Sequence, residues 1–112
     1  MSNPAKPPMK YTMARYSVKQ EKLKEVKKAI AEVVAEIRQH EPRTLYLVFR
    51  EESTTSFIHL MSFEDEGAER RHSQSRYIDR FVKKLYPNCI GKPVFMELDL
   101  LATTRKQWLL ER

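Results

Sequence analysis

A chain of 112 residues, 41% hydrophobic and 10% aromatic, holds enough apolar matter for one globular core and no more. Its formal net charge is +6, and residues 1–40 supply most of it with nine Lys or Arg against four Glu; these alternate along one helical surface, which is the pattern of a solvated face rather than of a nucleic-acid groove. No apolar run approaches the roughly 20 residues that a membrane span needs, Met1-Ser2-Asn3-Pro4 has no secretory pattern, and the lone Cys89 excludes an internal disulfide framework and a four-cysteine zinc site, so the expected compartment is the reducing cytoplasm.

Residues 1–9 hold Pro4, Pro7 and Pro8 without any periodic pattern and read as a flexible arm. Tyr11 to Tyr16 (YTMARY) reads as a first strand. Ser17 with Gln20 three residues on has capping-box spacing, which predicts a helix start. Leu23, Val26, Ile30, Val33, Val34 and Ile37 then recur at steps of three and four, one apolar stripe down a long helix that Pro42 terminates. Leu45 to Phe49 (LYLVF) is apolar without alternation, a strand covered on both faces. Glu51 to Thr55 is a polar turn, and Ser56 to Phe63 (SFIHLMSF) is a third strand with Phe57, His59, Met61 and Phe63 on one face.

Glu64, Asp65 and Glu66 make an acidic first turn for a second helical region that Ser73 or Ser75 interrupts. Tyr77, Ile78, Phe81, Val82 and Leu85 resume the helical stripe up to Pro87. Asn88 and Gly91 predict a turn into a last strand over Pro93 to Leu101, and residues 103–112 (TTRKQWLLER) form an amphipathic tail, with Trp108, expected to dock on the domain or on a partner subunit. The sequence therefore specifies one α+β domain over residues 10–102, in the ferredoxin-like βαββαβ order: a four-stranded antiparallel sheet with helices on one face. A sheet whose second face is also apolar needs a cover, and a domain this small gains core by pairing, so a homodimer is expected.

No spacing of His and Cys suggests a metal, and two glycines, Gly67 and Gly91, cannot build a phosphate-cradling loop, so neither metal nor cofactor is expected. RNA-recognition domains share this element order, but Ser56 to Phe63 lacks the Gly-rich aromatic signature they carry on the third strand. His59, set among Phe57, Met61 and Phe63, suits an apolar pocket that orients a small aromatic or hydrophobic molecule; a satisfied core histidine is the plainer alternative.

Glu41-Pro42 after the long helix, Leu45-Tyr46-x-Val48 on the second strand, Phe57 opening the third, and Phe63 followed by acidic residues, Ala68 and His72-x-x-Ser75 together resemble the antibiotic biosynthesis monooxygenase (ABM) domain over roughly residues 10–102. The resemblance implies a dimeric α+β barrel and, by the activity of some members, oxidation of a phenol or quinol by molecular oxygen without metal or flavin. It places His72 at the family's His, where an imidazole can accept a phenolic proton near neutral pH. Tyr77, standing where a second His is often seen, becomes a hydrogen-bond donor to substrate. Two departures matter. Met61 and Phe63 replace an acidic residue and a Trp or Tyr common in the family, which favours a non-enzymatic dimeric domain that binds a hydrophobic ligand or acts as an interaction module. Ala14 and His72 stand where the haem-degrading branch carries Asn and Trp, which disfavours haem breakdown.

Overall fold

The computed structural model of the chain describes residues 10–104. β1 (Lys10–Val18) leads through one turn of 3-10 helix, Gln20–Lys22, into α1 (Leu23–His40). β2 (Leu45–Arg50) and β3 (Ser56–Ser62) form a hairpin, α2 (Glu66–Ser73) and α3 (Arg76–Leu85) follow, and a 3-10 turn over Tyr86–Asn88 delivers β4 (Cys89–Asp99). All strand pairings are antiparallel and the sheet order is β2-β3-β1-β4. The expected ferredoxin-like α+β architecture is therefore present, with β1 and β3 at the centre of the sheet.

The α1 stripe packs as its spacing predicts: Val26, Ala29, Ile30, Val33 and Ile37 are buried against Tyr16, Val18 and Phe57 of the sheet and Phe81 and Leu85 of α3. The helix closes at Glu41, whose N–H donates to the Ile37 carbonyl at 2.7 Å. The break predicted in the second helical region is also present. Asp65 caps α2 by accepting from the Ala68 N–H, and Ser75 caps α3 by accepting from the Ile78 N–H.

Two expectations are corrected. Ser17 and Gln20 form no capping box, because β1 runs on through the fully buried Val18, whose N–H donates to the Thr55 carbonyl, while Ser17 Oγ lies 2.5 Å from Ser56 Oγ across the strand pair. The last strand begins at Cys89 rather than Pro93 and ends at Asp99, leaving Leu100 and Leu101 outside it. Its early residues Cys89 and Ile90 have partners because β1 is longer than predicted, and they pair with Val18 and Ser17. The register shifts between Arg15 and Ser17, and Gly91 adopts φ 76° there. Gly91 thus serves a β-bulge, where only glycine takes this conformation without strain, and not a turn with Asn88.

Pairing parity divides the sheet into two faces. Ala14, Tyr16, Tyr46, Phe57, His59 and Met61 face the helices, while Leu47, Phe49, Ile58, Leu60, Val94 and Met96 lie on the opposite face. On that opposite face Phe49 is 51% exposed, Val94 54% and Met96 45%. Among the described residues no helix is long and apolar enough to cross a membrane. The predicted N-terminal arm and the predicted docking of Trp108 lie outside the described residues.

Candidate functional site

Between the helix-facing side of the sheet and α2 and α3 lies a cavity of about 330 Å³. Strand register explains it. At the sheet centre Ala14 is paired with His59 on one side and Phe95 on the other, so a methyl group separates two rings and leaves space above itself. Of the residues singled out in the sequence, His59, Met61, Phe63 and His72 line this cavity. Phe57 does not: it is buried one pleat along β3, its ring 5.6 Å from that of Tyr16. Tyr77 does not either, and lines a shallower cleft beyond α1 with His40, Glu41 and Arg43.

His59 is 2% exposed and both ring nitrogens are occupied. Tyr16 Oη lies 2.6 Å from Nε2 and Tyr46 Oη 2.7 Å from Nδ1. Burial lowers its pKa to about 4, so the ring is neutral at neutral pH. A neutral imidazole has one donor and one acceptor, so one tyrosine donates to it and the other accepts. Burial also pushes both phenols well above the ordinary tyrosine range, with the neighbouring Tyr46 adding to the effect at Tyr16 and Glu41 adding to it at Tyr46. The three side chains form a neutral, hydrogen-bonded floor.

His72 sits in the last turn of α2, and it too is buried, at 5% exposure. Its Nδ1 lies 2.9 and 3.0 Å from the two oxygens of Glu41, whose side chain is only 10% exposed. Glu41 also accepts a hydrogen bond from the Tyr77 hydroxyl. Ring contacts with Phe63 at 4.9 Å and Tyr46 at 5.8 Å hold the imidazole in plane. A carboxylate accepts and never donates, so Nδ1 must carry a proton. The remaining nitrogen, Nε2, makes no hydrogen bond among the described residues, and the ring borders the cavity. Burial, followed by the Glu41 hydrogen bond and charge, pushes Tyr77 up to about 12, so its phenol stays protonated and donating. Burial likewise raises the pKa of the Cys89 thiol, which disfavours the reactive thiolate.

Glu41, Tyr16 and Tyr46 are the site residues for which the sequence offered no role. Tyr16 pairs with Phe57 and Tyr46 with Met61, which makes each a diagonal neighbour of His59 on a flanking strand. Parity within each strand puts them on the helix side, but only the register between strands brings them to one histidine. Among the described residues no three His, Cys, Asp or Glu side chains converge to hold a metal ion.

Comparison with known proteins gives a consistent picture. A candidate antibiotic biosynthesis monooxygenase from Caulobacter crescentus CB15 superposes with a TM-score of 0.78 at 22% identity, covering 87% of this chain and 93% of that one. A candidate antibiotic biosynthesis monooxygenase from Nitrosomonas europaea gives 0.77 at 15% identity, covering 87% and 94%. A conserved protein from Methanosarcina mazei Go1 gives 0.74 at 20% identity, covering 82% and 92%. At such identities the likeness is one of fold. No curated protein matches the chain at a significant level. The family model for antibiotic biosynthesis monooxygenase matches residues 9–84, two thirds of the chain, including β1 to α2, Glu41, His59, His72 and most of α3, and the protein belongs to that family.

Proposed function

We propose that this protein is a monooxygenase-like enzyme that oxidises a small phenol or quinol with molecular oxygen, without a metal or flavin of its own, and that it works as a homodimer. The observation that carries the reading is His72: a buried imidazole whose Nδ1–H is fixed by Glu41 and whose ring lines an apolar, aromatic-walled cavity. About 330 Å³ lies at the lower end of the range for ligand pockets, in keeping with a single substituted ring.

In this reading Nε2 of His72 takes the phenolic proton, leaving a phenolate that is far more readily oxidised by oxygen than the phenol is. Oxygen adds to a hydrogen-bearing ring carbon ortho or para to the hydroxyl, and the resulting hydroperoxide loses water to give a quinone. One atom of O2 ends in the product and the other in water, which also takes the two hydrogens that the ring and hydroxyl give up. Phe63 and Met61 pack against the ring, and the neutral Tyr16–His59–Tyr46 floor offers a hydroxyl to the substrate oxygen. Phe57 supports Tyr16 from behind. Tyr77 acts through Glu41 and is a positioning residue.

Oxygen uptake by the metal-stripped protein against a panel of hydroquinones and polyphenols tests the proposal. Uptake is expected with the native chain and a fall of about 100-fold or more with His72→Ala, the usual scale of a general base. Ligand binding without uptake by the native chain would instead favour a non-enzymatic binding domain, a reading that gains support from Met61 and Phe63 standing where the family often has an acidic residue and a Trp or Tyr. The homodimer is supported by the apolar outer face that displays Phe49, Val94 and Met96. Sedimentation velocity should give about twice the chain mass of 13.3 kDa, and a monomer at micromolar concentration would remove that part of the proposal.

A further inference from the structure

The cavity does not end at His72. At the N-terminal end of α2 it adjoins a mouth of about 840 Å³, and Thr12, Phe63, Glu69 and Ser73 line both. The charge of the mouth is opposite to that of the chain. Glu64 is engaged by Arg43, and Asp65 accepts from the Ala68 N–H as the cap of α2. Glu66, Glu69 and Glu97 remain, facing Lys10 and Arg70, and none of these five side chains forms an ion pair among the described residues. With Asp65 counted, carboxylates outnumber cations two to one here, in a chain of net charge +6.

Acidic side chains at a surface are ordinarily a solvated patch. Two observations give these a ligand. The first is the cavity they adjoin, lined by a 95%-buried histidine whose Nε2 makes no hydrogen bond among the described residues. The second is spacing along α2. Glu66, Glu69 and His72 follow one another at three-residue steps, so Glu69 stands beside His72 on the helix surface and Glu66 beside Glu69. With a rise of about 1.5 Å per residue, the two carboxylates stand about 4.5 and 9 Å along the axis from the imidazole. A molecule lying along α2 with its hydroxyl at His72 therefore has its far end beside Glu69. That carboxylate is half-buried, where a charge is screened less than at an open surface.

We propose that the substrate is a phenol bearing a cationic substituent, an aryl alkylamine, and that Glu69 selects it over aromatic acids. This rests on the reading of the cavity as a substrate site, and the test separates the two. Isothermal titration calorimetry of the full chain at low salt would compare three probes that share a ring: 4-(2-aminoethyl)phenol, 4-ethylphenol and 3-(4-hydroxyphenyl)propanoate. The amine is expected to bind about tenfold or more tightly than the acid, with the neutral phenol between them. In Glu69→Gln the ratio of amine to acid should fall at least threefold while the affinity for 4-ethylphenol stays unchanged. Binding of 4-ethylphenol with no preference for the amine, or a preference that Glu69→Gln leaves intact, overturns the selectivity proposal and spares the site. Absence of binding by all three probes overturns the site as well.

Discussion

Glu41→Leu is expected to cost the fold about 2–6 kcal/mol and, in whatever remains folded, to abolish the chemistry assigned to His72. The carboxylate receives two buried donors, the His72 Nδ1–H and the Tyr77 hydroxyl, and leucine leaves both without an acceptor, at about 1–3 kcal/mol each. Glu41→Gln is the sharper probe, because its amide is close to isosteric and retains one acceptor oxygen. The Tyr77 hydroxyl can still donate to that oxygen, which in the Oε2 place also lies 2.9 Å from Nδ1, while the amide nitrogen takes the Oε1 place, 3.0 Å from Nδ1, and can only donate. The amide thus competes for an unprotonated Nδ1 and admits the tautomer in which Nε2 carries the proton, which the carboxylate excludes. A base that already carries its proton cannot take one from a phenol, and a carboxylate that fixes a tautomer is commonly worth orders of magnitude in rate. Two-bond nitrogen–proton correlations of the His72 ring read this without any assay. Nδ1–H alone is expected in the native protein and a mixture with Nε2–H in Glu41→Gln, and an undiminished Nδ1–H tautomer in both would contradict the positioning role. Glu41→Asp shortens the reach to both donors and should recover the native tautomer only partly.

The different legibility of fold and site follows from what each depends on. Element order was readable because it rests on local periodicity: the stripe from Leu23 to Ile37 and the alternation from Phe57 to Met61 each declare a buried face within one segment. Ser17 misled because capping residues signal a helix only where the backbone is free to turn, and here Val18 still had a ladder bond to make to Thr55. The start of β4 misled for a related reason, since Gly91 and Pro93 look like loop chemistry until the partner strand shows a bulge. His59 and His72 stood out by residue type, but their partners did not. Glu41 lies 31 residues from His72, and the Tyr16–His59 bond spans 43. Nothing local marks Glu41 as a buried acceptor rather than the acidic end of a solvated helix. Tyr77 illustrates the converse: its place on the apolar stripe of α3 is correct, yet its hydroxyl turns away from the cavity toward Glu41.

His59 should make the protein acid-labile well above the range in which carboxylates ordinarily titrate. Its pKa falls from 6.5 in the open chain to about 4 in the fold, because burial between Tyr16, Tyr46 and Phe81 disfavours the imidazolium. Between those two values the unfolded chain binds a proton that the folded chain refuses, so stability is complete above about pH 6.5 and is lost as the pH falls toward 4. A difference of that size is worth about 3 kcal/mol, which for a domain of this length lowers Tm by on the order of 10 °C. Other groups titrate in the same window, so the contribution of His59 is read as a difference between proteins. His59→Gln keeps one donor and one acceptor for the two tyrosines but has no proton to gain, and its urea midpoint should therefore fall less steeply with pH than that of the native chain. His59→Phe should flatten the profile as well, and in addition cost about 1–3 kcal/mol at every pH for each tyrosine hydroxyl left without a partner. If the native and His59→Gln midpoints ran parallel from pH 7 to pH 4, the imidazole would be taking up its proton inside the fold, and the floor of the cavity would be charged rather than neutral. A neutral floor is what the proposed chemistry needs: an imidazolium beneath the ring would draw the phenolate into an ion pair and make it a poorer reductant of oxygen, whereas the one hydroxyl of the neutral floor not donated to His59 holds the substrate oxygen while leaving its electrons available.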